Sequence, residues 1–86
     1  MTLRVPESVV NRFVSLNPSP DDRQSVLDLV SQLLKRPELG IPIPFNLPEY
    51  SDCYVAFTPN RKWRVVYRRL DPEGIVVCSI DREGTD

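Results

Sequence analysis

The chain has no histidine. That excludes Ser-His-Asp and Cys-His triads, histidine-containing zinc sites and any imidazole acid–base pair. Any catalysis must therefore draw on Arg, Lys, Tyr, Asp or Glu. Cysteine is scarce, with only Cys53 and Cys78, too few for a structural zinc site without histidine. Both lie in strand-like surroundings that predict buried, reduced thiols. No long apolar run is present, so no transmembrane helix is expected. No basic segment followed by an apolar stretch opens the chain, so no signal peptide is expected and a cytoplasmic location is the default. Gly-rich phosphate loops, Walker motifs, metal-ligand clusters, internal repeats and low-complexity segments are also missing. Neither a metal nor another cofactor is expected.

What remains is 86 residues, enough for one domain, 1–86, with a modest core. The net charge of −1 argues against a generic nucleic-acid binder, which is usually basic all over. The distribution says more than the sum. Residues 1–60 carry five basic and seven acidic side chains, residues 61–69 five basic and none acidic, and residues 70–86 only Arg82 against five acids. The basic stretch RKWRVVYRR also holds Trp63, Val65, Val66 and Tyr67, which favour strands. With period two, Trp63, Val65 and Tyr67 share one face and Lys62, Arg64, Val66 and Arg68 the other. One face can enter a core while the other holds positive charge: either a solvated strand face or an anion-binding strip.

Around this strip the elements can be placed in order. Leu3 and Val5 alternate with polar neighbours, as in a short first strand. Pro6 suits a helix start, and Val9, Val10, Phe13, Val14 and Leu16 give that helix an apolar face before Asn17-Pro18 stops it. Ser19 is a good N-cap for a second helix, with Pro20 at its first position and Asp21 and Asp22 favoured by its dipole. Val26, Leu29, Val30, Leu33 and Leu34 follow at helical spacing until Pro37. Residues 37–50 hold four prolines, with Ile41, Ile43, Phe45 and Leu47 alternating, which fits a stiff connector or at best an edge strand. Strands are predicted over Asp52 to Phe57, Arg61 to Leu70 and Ile75 to Ile80, with turns at Thr58-Pro59-Asn60 and Asp71-Pro72-Glu73-Gly74. Asp81 to Asp86 reads as a polar tail. The expected fold is α+β: a short N-terminal strand, a two-helix hairpin, then a three-stranded antiparallel meander, with the helices on one sheet face.

This order, with Asp52-Cys53-Tyr54, then RVVYR at Arg64 to Arg68, then the Asp-Pro-Glu-Gly turn and IVVCSIDRE at Ile75 to Glu83, resembles the RelE/ParE superfamily of bacterial toxins. The resemblance covers essentially the whole chain and is densest from Asp52 to Glu83. It implies the toxin half of a type II toxin–antitoxin pair with an antitoxin protein as partner. For the RelE branch it implies ribosome-dependent cleavage of messenger RNA, by attack of a 2′-hydroxyl on the adjacent phosphate. Arginine suits that transition state, because its always-charged fork of donors matches phosphate oxygens.

The resemblance places the catalytic arginines at Arg64 and Arg82, expected to face one surface away from the helices. Arg61, Lys62 and Arg68 are candidates for the RNA backbone, against the alternative of solvated charge. Trp63 shares a face with Val65 and Tyr67 and is expected in the core rather than stacked on a base. Val55 and Phe57 occupy positions where RelE-type toxins usually carry lysines, and no tyrosine follows Arg82. Arginine is a poor acid or base, so Tyr54 is the candidate acid–base group. The implied activity is an endoribonuclease or a degenerate relative that inhibits translation. The alternative is a non-catalytic binding module of the same fold, such as a ParE-like gyrase inhibitor or a solitary interaction protein.

Overall fold

The computed structural model describes residues 2–43, 53–70 and 74–83. Its elements are β1 (Leu3–Arg4), α1 (Glu7–Ser15), α2 (Pro20–Lys35), a 3-10 turn (Pro37–Leu39), β2 (Ile41–Pro42), β3 (Cys53–Phe57), β4 (Trp63–Arg69) and β5 (Ile75–Arg82). The strands form one sheet in the order β1-β5-β4-β3-β2. The β3-β4-β5 meander is antiparallel, as is β2 against β3, and β1 pairs parallel to β5. This is the expected α+β architecture, with β1 and β2 adding short strands at the two edges. The expected connector residues Phe45 and Leu47, and most of the Asp-Pro-Glu-Gly turn, lie outside the described residues.

Local chemistry sets the helices. Asn17 adopts a positive φ of 55°, a conformation asparagine tolerates better than most residues, and Pro18 bars helix continuation. The chain then turns directly into α2, whose start is a capping box: Asp22 N–H donates to Ser19 Oγ, and Ser19 N–H donates to Asp22 Oδ2, both at 3.1 Å. That backbone bond from Ser19, reinforced by the Trp63 indole, holds the Asp22 carboxyl below its usual pKa. The indole Nε1 of Trp63 is buried without a well-formed hydrogen bond. No helix among the described residues is long and apolar enough to cross a membrane.

The core lies between the helices and one sheet face. Val26, Leu29, Val30 and Leu33 of α2 and Val9 of α1 pack against Trp63, Val65, Tyr67, Ala56, Ile75, Val77 and Ile80. Trp63 is thus a core residue, as its periodicity predicts. The apolar stripe of α1 is narrower than expected: Phe13 and Leu16 join Val9, while Val10 and Val14 face solvent. Positions 9, 13 and 16 are one turn apart and meet the sheet, and 10 and 14 are rotated about 100° away. Cys53 is buried as expected, but Cys78 is exposed, for a reason of register given below.

A polar network inside this core fastens the connector to the sheet. The Tyr67 hydroxyl donates to the Pro37 carbonyl and accepts from Gly40 N–H at 2.9 Å. A Cβ on Gly40 would lie 2.1 Å from that hydroxyl, so only glycine fits. Burial raises the Tyr67 pKa above its ordinary 10.0, so the neutral network is intact below pH 10 and is lost only as pH rises through the raised value. Tyr67→Phe leaves the Gly40 donor and Pro37 acceptor unpaired and should cost about 1–3 kcal/mol. Urea unfolding should show a lower midpoint at unchanged slope.

Candidate functional site: the outer face of β4

β4 alternates from Trp63 to Arg68. Trp63, Val65 and Tyr67 are buried under the helices, while Arg64 and Arg68 are exposed on the opposite, outer face. Register sets their neighbours. On β3, Phe57 pairs with Arg64, Val55 with Val66 and Cys53 with Arg68. On β5, Asp81 pairs with Arg64. The outer face is therefore a ridge of Arg64 and Arg68 bordered by Phe57, Val55 and Cys53 on one side. Arg68 Nε donates to Cys53 Sγ at 3.4 Å. Val55 and Phe57 sit beside Arg64 and Val66 in this ladder, and these are the positions where lysines were expected in a RelE-type site.

The β3–β4 turn carries the other two basic candidates. Thr58 is buried, and its hydroxyl donates to Asn60 Oδ1 at 2.7 Å while accepting from Trp63 N–H at 3.2 Å. Asn60 Oδ1 also accepts from Lys62 N–H, and Arg61 N–H donates to the Thr58 carbonyl. The turn holds Arg61 at φ 61° and lays its guanidinium over the Phe57 ring, 4.5 Å from the centroid. Lys62 is exposed beside it.

Arg82 is not where the resemblance implied. Its register partner is Trp63, on the helix side of the sheet, so it faces away from Arg64. Its guanidinium stacks on the Trp63 ring at 4.7 Å, and Nη2 donates to the Leu16 carbonyl at the end of α1 at 2.7 Å. The cause is a β-bulge. Val66 pairs with Ser79 and Tyr67 with Val77, so Cys78 stands opposite no residue. One extra residue reverses the in–out alternation beyond it: Ile75 and Val77 point inward before the bulge, Ile80 and Arg82 after it. Cys78, following the inward Val77, falls on the outer face by the same alternation.

Tyr54 is also on the helix side. It pairs with Tyr67 in register and stacks on it, centroids 5.6 Å apart, so it does not meet Arg64. The group that does is Glu83, which was read as part of a polar tail. Glu83 N–H donates to the Lys62 carbonyl at 2.7 Å, extending the ladder past β5. Its Oε2 then lies 3.6 Å from Arg64 Nη1, with its side chain 27% exposed and that of Arg64 45%. Asp81, directly across from Arg64, is instead bound by Arg12 of α1 at 2.9 Å. Among the described residues, Arg64 thus keeps one loose carboxylate partner. A surface pair of this kind is worth about 0–1 kcal/mol, little enough for an incoming phosphate to displace. The signal for Glu83 was its spacing: two residues after Asp81, it lies on the same face once the strand is allowed to continue.

No family model matches the chain, and no curated protein matches it. Solved structures do. The isolated E. coli RelE toxin superposes with a TM-score of 0.72 at 18% identity, covering 98% of this chain and 85% of that one. An arginine double mutant of E. coli RelE, in complex with a peptide of the antitoxin RelBc, gives a TM-score of 0.69 at 18% identity, covering 98% and 83%. At that identity the likeness speaks for architecture alone, and nearly the whole chain takes part in it. The chain has the RelE toxin fold.

Proposed function

We propose that this chain is the toxin of a type II toxin–antitoxin pair and acts on messenger RNA at the ribosome through the sheet face that carries Arg64. The observation that carries the reading is Arg64 itself: central on the open face, half exposed, and held among the described residues only by Glu83 at 3.6 Å. The likeness to RelE supports a toxin, and the RelBc-bound neighbour supports an antitoxin peptide as partner. Arg61, Lys62 and Arg68 border Arg64 and would hold the RNA backbone by charge.

In the cleavage this face would perform, the 2′-hydroxyl proton passes to the Glu83 carboxylate as the 2′-oxygen attacks the adjacent phosphorus. Arg64 binds the non-bridging oxygens, where charge grows. The bond to the 5′-oxygen breaks, and that oxygen takes a proton from water. The products are a 2′,3′-cyclic phosphate and a 5′-hydroxyl. Arg82 serves here as a positioning residue: anchored on Trp63 and the Leu16 carbonyl, it fixes the strand end that presents Glu83. Tyr54, stacked inside the helix side, has no part in this scheme.

A second reading, a non-catalytic binding module, is favoured by two observations. Val55 and Phe57 offer no proton-transfer group next to Arg64, and the arginine expected to join it points the other way. Incubating the protein with ribosomes programmed with a defined messenger, and mapping 3′ ends by primer extension, separates the two. Cuts that depend on Arg64 support the first reading. Intact messenger overturns the nuclease, and loss of gyrase supercoiling would then identify a ParE-like inhibitor.

A further inference from the structure

Arg61 offers more than charge, because its guanidinium is paired with Phe57. A left-handed backbone is uncommon for a residue that is not glycine, and such positions often mark function. Here Thr58 and Asn60 fix it by hydrogen bonds inside the turn. The outcome is a guanidinium over an aromatic ring, its central carbon 4.5 Å from the centroid, with Arg61 exposed. Phe57 stands directly across the ladder from Arg64, and directly opposed Cβ atoms lie about 4.5–5.5 Å apart. Beside the pair opens a cavity of about 370 Å³ lined by Phe57, Pro59 and Arg61 and, from the facing helix, Leu29, Gln32 and Leu33. That volume falls in the range of small-ligand sites.

We propose that the Phe57–Arg61 pair is a stacking platform for one unpaired nucleobase of a single-stranded RNA whose neighbouring phosphate lies on Arg64. The inference rests on the RNA-binding reading above. Bases stack on aromatic rings and on guanidinium planes alike, and this pair offers both within one site. The flat cation favours a π-face over an aliphatic side chain, and the basic residues alongside, Lys62 and Arg64, follow the path of a phosphodiester backbone. Gln32, whose amide can both donate and accept, is the polar side chain on the opposite wall and would meet the base edge. A site of this kind binds by stacking with little sequence preference, so it fixes the position of the strand rather than its sequence.

The test compares a short, unstructured, fluorescein-labelled RNA with a strand of the same sugar-phosphate backbone lacking its bases, by fluorescence anisotropy. The wild type should bind the base-bearing strand roughly 5- to 100-fold more tightly. Phe57→Leu should bring that preference close to one while leaving affinity for the abasic strand unchanged, and Arg61→Lys should likewise bring the preference close to one. Arg61→Lys keeps the charge and so stands alone if Phe57→Leu does not fold. Equal binding of both strands by the wild type, or a preference that survives both substitutions, overturns the platform and leaves RNA binding intact. Binding of neither strand removes the RNA reading as well. An acidic, apolar peptide that binds through Phe57 and Arg61, with no base preference for RNA, assigns the cavity to a protein partner and overturns the inference.

Discussion

Replacing Trp63 with alanine should cost about 3–5 kcal/mol, the range for deleting a large buried aromatic. A domain of this size has roughly 4–13 kcal/mol in all, so the variant should be largely unfolded at 37 °C or melt far below the wild type. Trp63 is fully buried and touches more of the fold than its place in one strand suggests. Phe13 of α1 meets it edge-to-face at 5.1 Å, Arg82 of β5 lies over it at 4.7 Å, and Val26, Leu29, Val30 and Leu33 of α2 share its core cluster. Its loss opens a cavity where both helices and the last strand converge. Trp63→Phe should lose less, because the indole N–H has no well-formed partner to forfeit and a ring remains for Phe13 and Arg82. Thermal unfolding by circular dichroism ranks the three proteins. A Trp63→Ala melting curve matching the wild type would contradict the packing described.

The second large effect is a split between binding and cutting at Arg64 and Glu83. Arg64→Ala removes a charge-assisted contact worth about 1.5–3 kcal/mol, so RNA affinity should fall roughly 10- to 100-fold and the salt dependence should lose about one unit of slope. Cleavage should fall further, by about 10²–10³, because the arginine also meets charge that develops in the transition state. Glu83→Gln should move the two measurements apart. Without its loose carboxylate, Arg64 is freer to take phosphate, and binding should tighten by up to about fivefold. The same change removes the proton acceptor of the proposed cleavage, which should drop by about 10² or more. A structural role for Glu83 would shift both in one direction, so tighter binding with slower cleavage is the diagnostic result. Undiminished cutting by Glu83→Gln would remove Glu83 from the chemistry.

How much of this could be read from the residues differs between elements. The start of α2 was legible because Ser19-Pro20-Asp21-Asp22 carries its own hydrogen-bonding chemistry. The inner and outer faces of β4 were legible because alternation within one strand is a local property. Arg82 was not, because its direction depends on an extra residue in β5 that has no composition signal: Ile75 to Ile80 is apolar on both parities. Glu83 was lost with it, since charged residues at a strand end look like a tail until a ladder bond, here to the Lys62 carbonyl, is seen to continue. The Phe57–Arg61 pair depends on a left-handed residue where the sequence has arginine rather than glycine or asparagine, and nothing local announces that.

The parallel pairing of β1 with β5 bears on how the molecule comes into being. Leu3 finds its partner at Ile75, and α1 leans on β5 as well, through Arg12 to Asp81 and Leu16 to Arg82. The first elements made are completed by the last described strand, so their contacts span most of the chain. Such long-range closure is entropically late and slow. A nascent or truncated chain that stops before Ile75 would hold both helices with much of their apolar surface uncovered and the basic strand without its inner neighbour. The sheet face that carries Arg64 is therefore assembled only when nearly the whole domain is present.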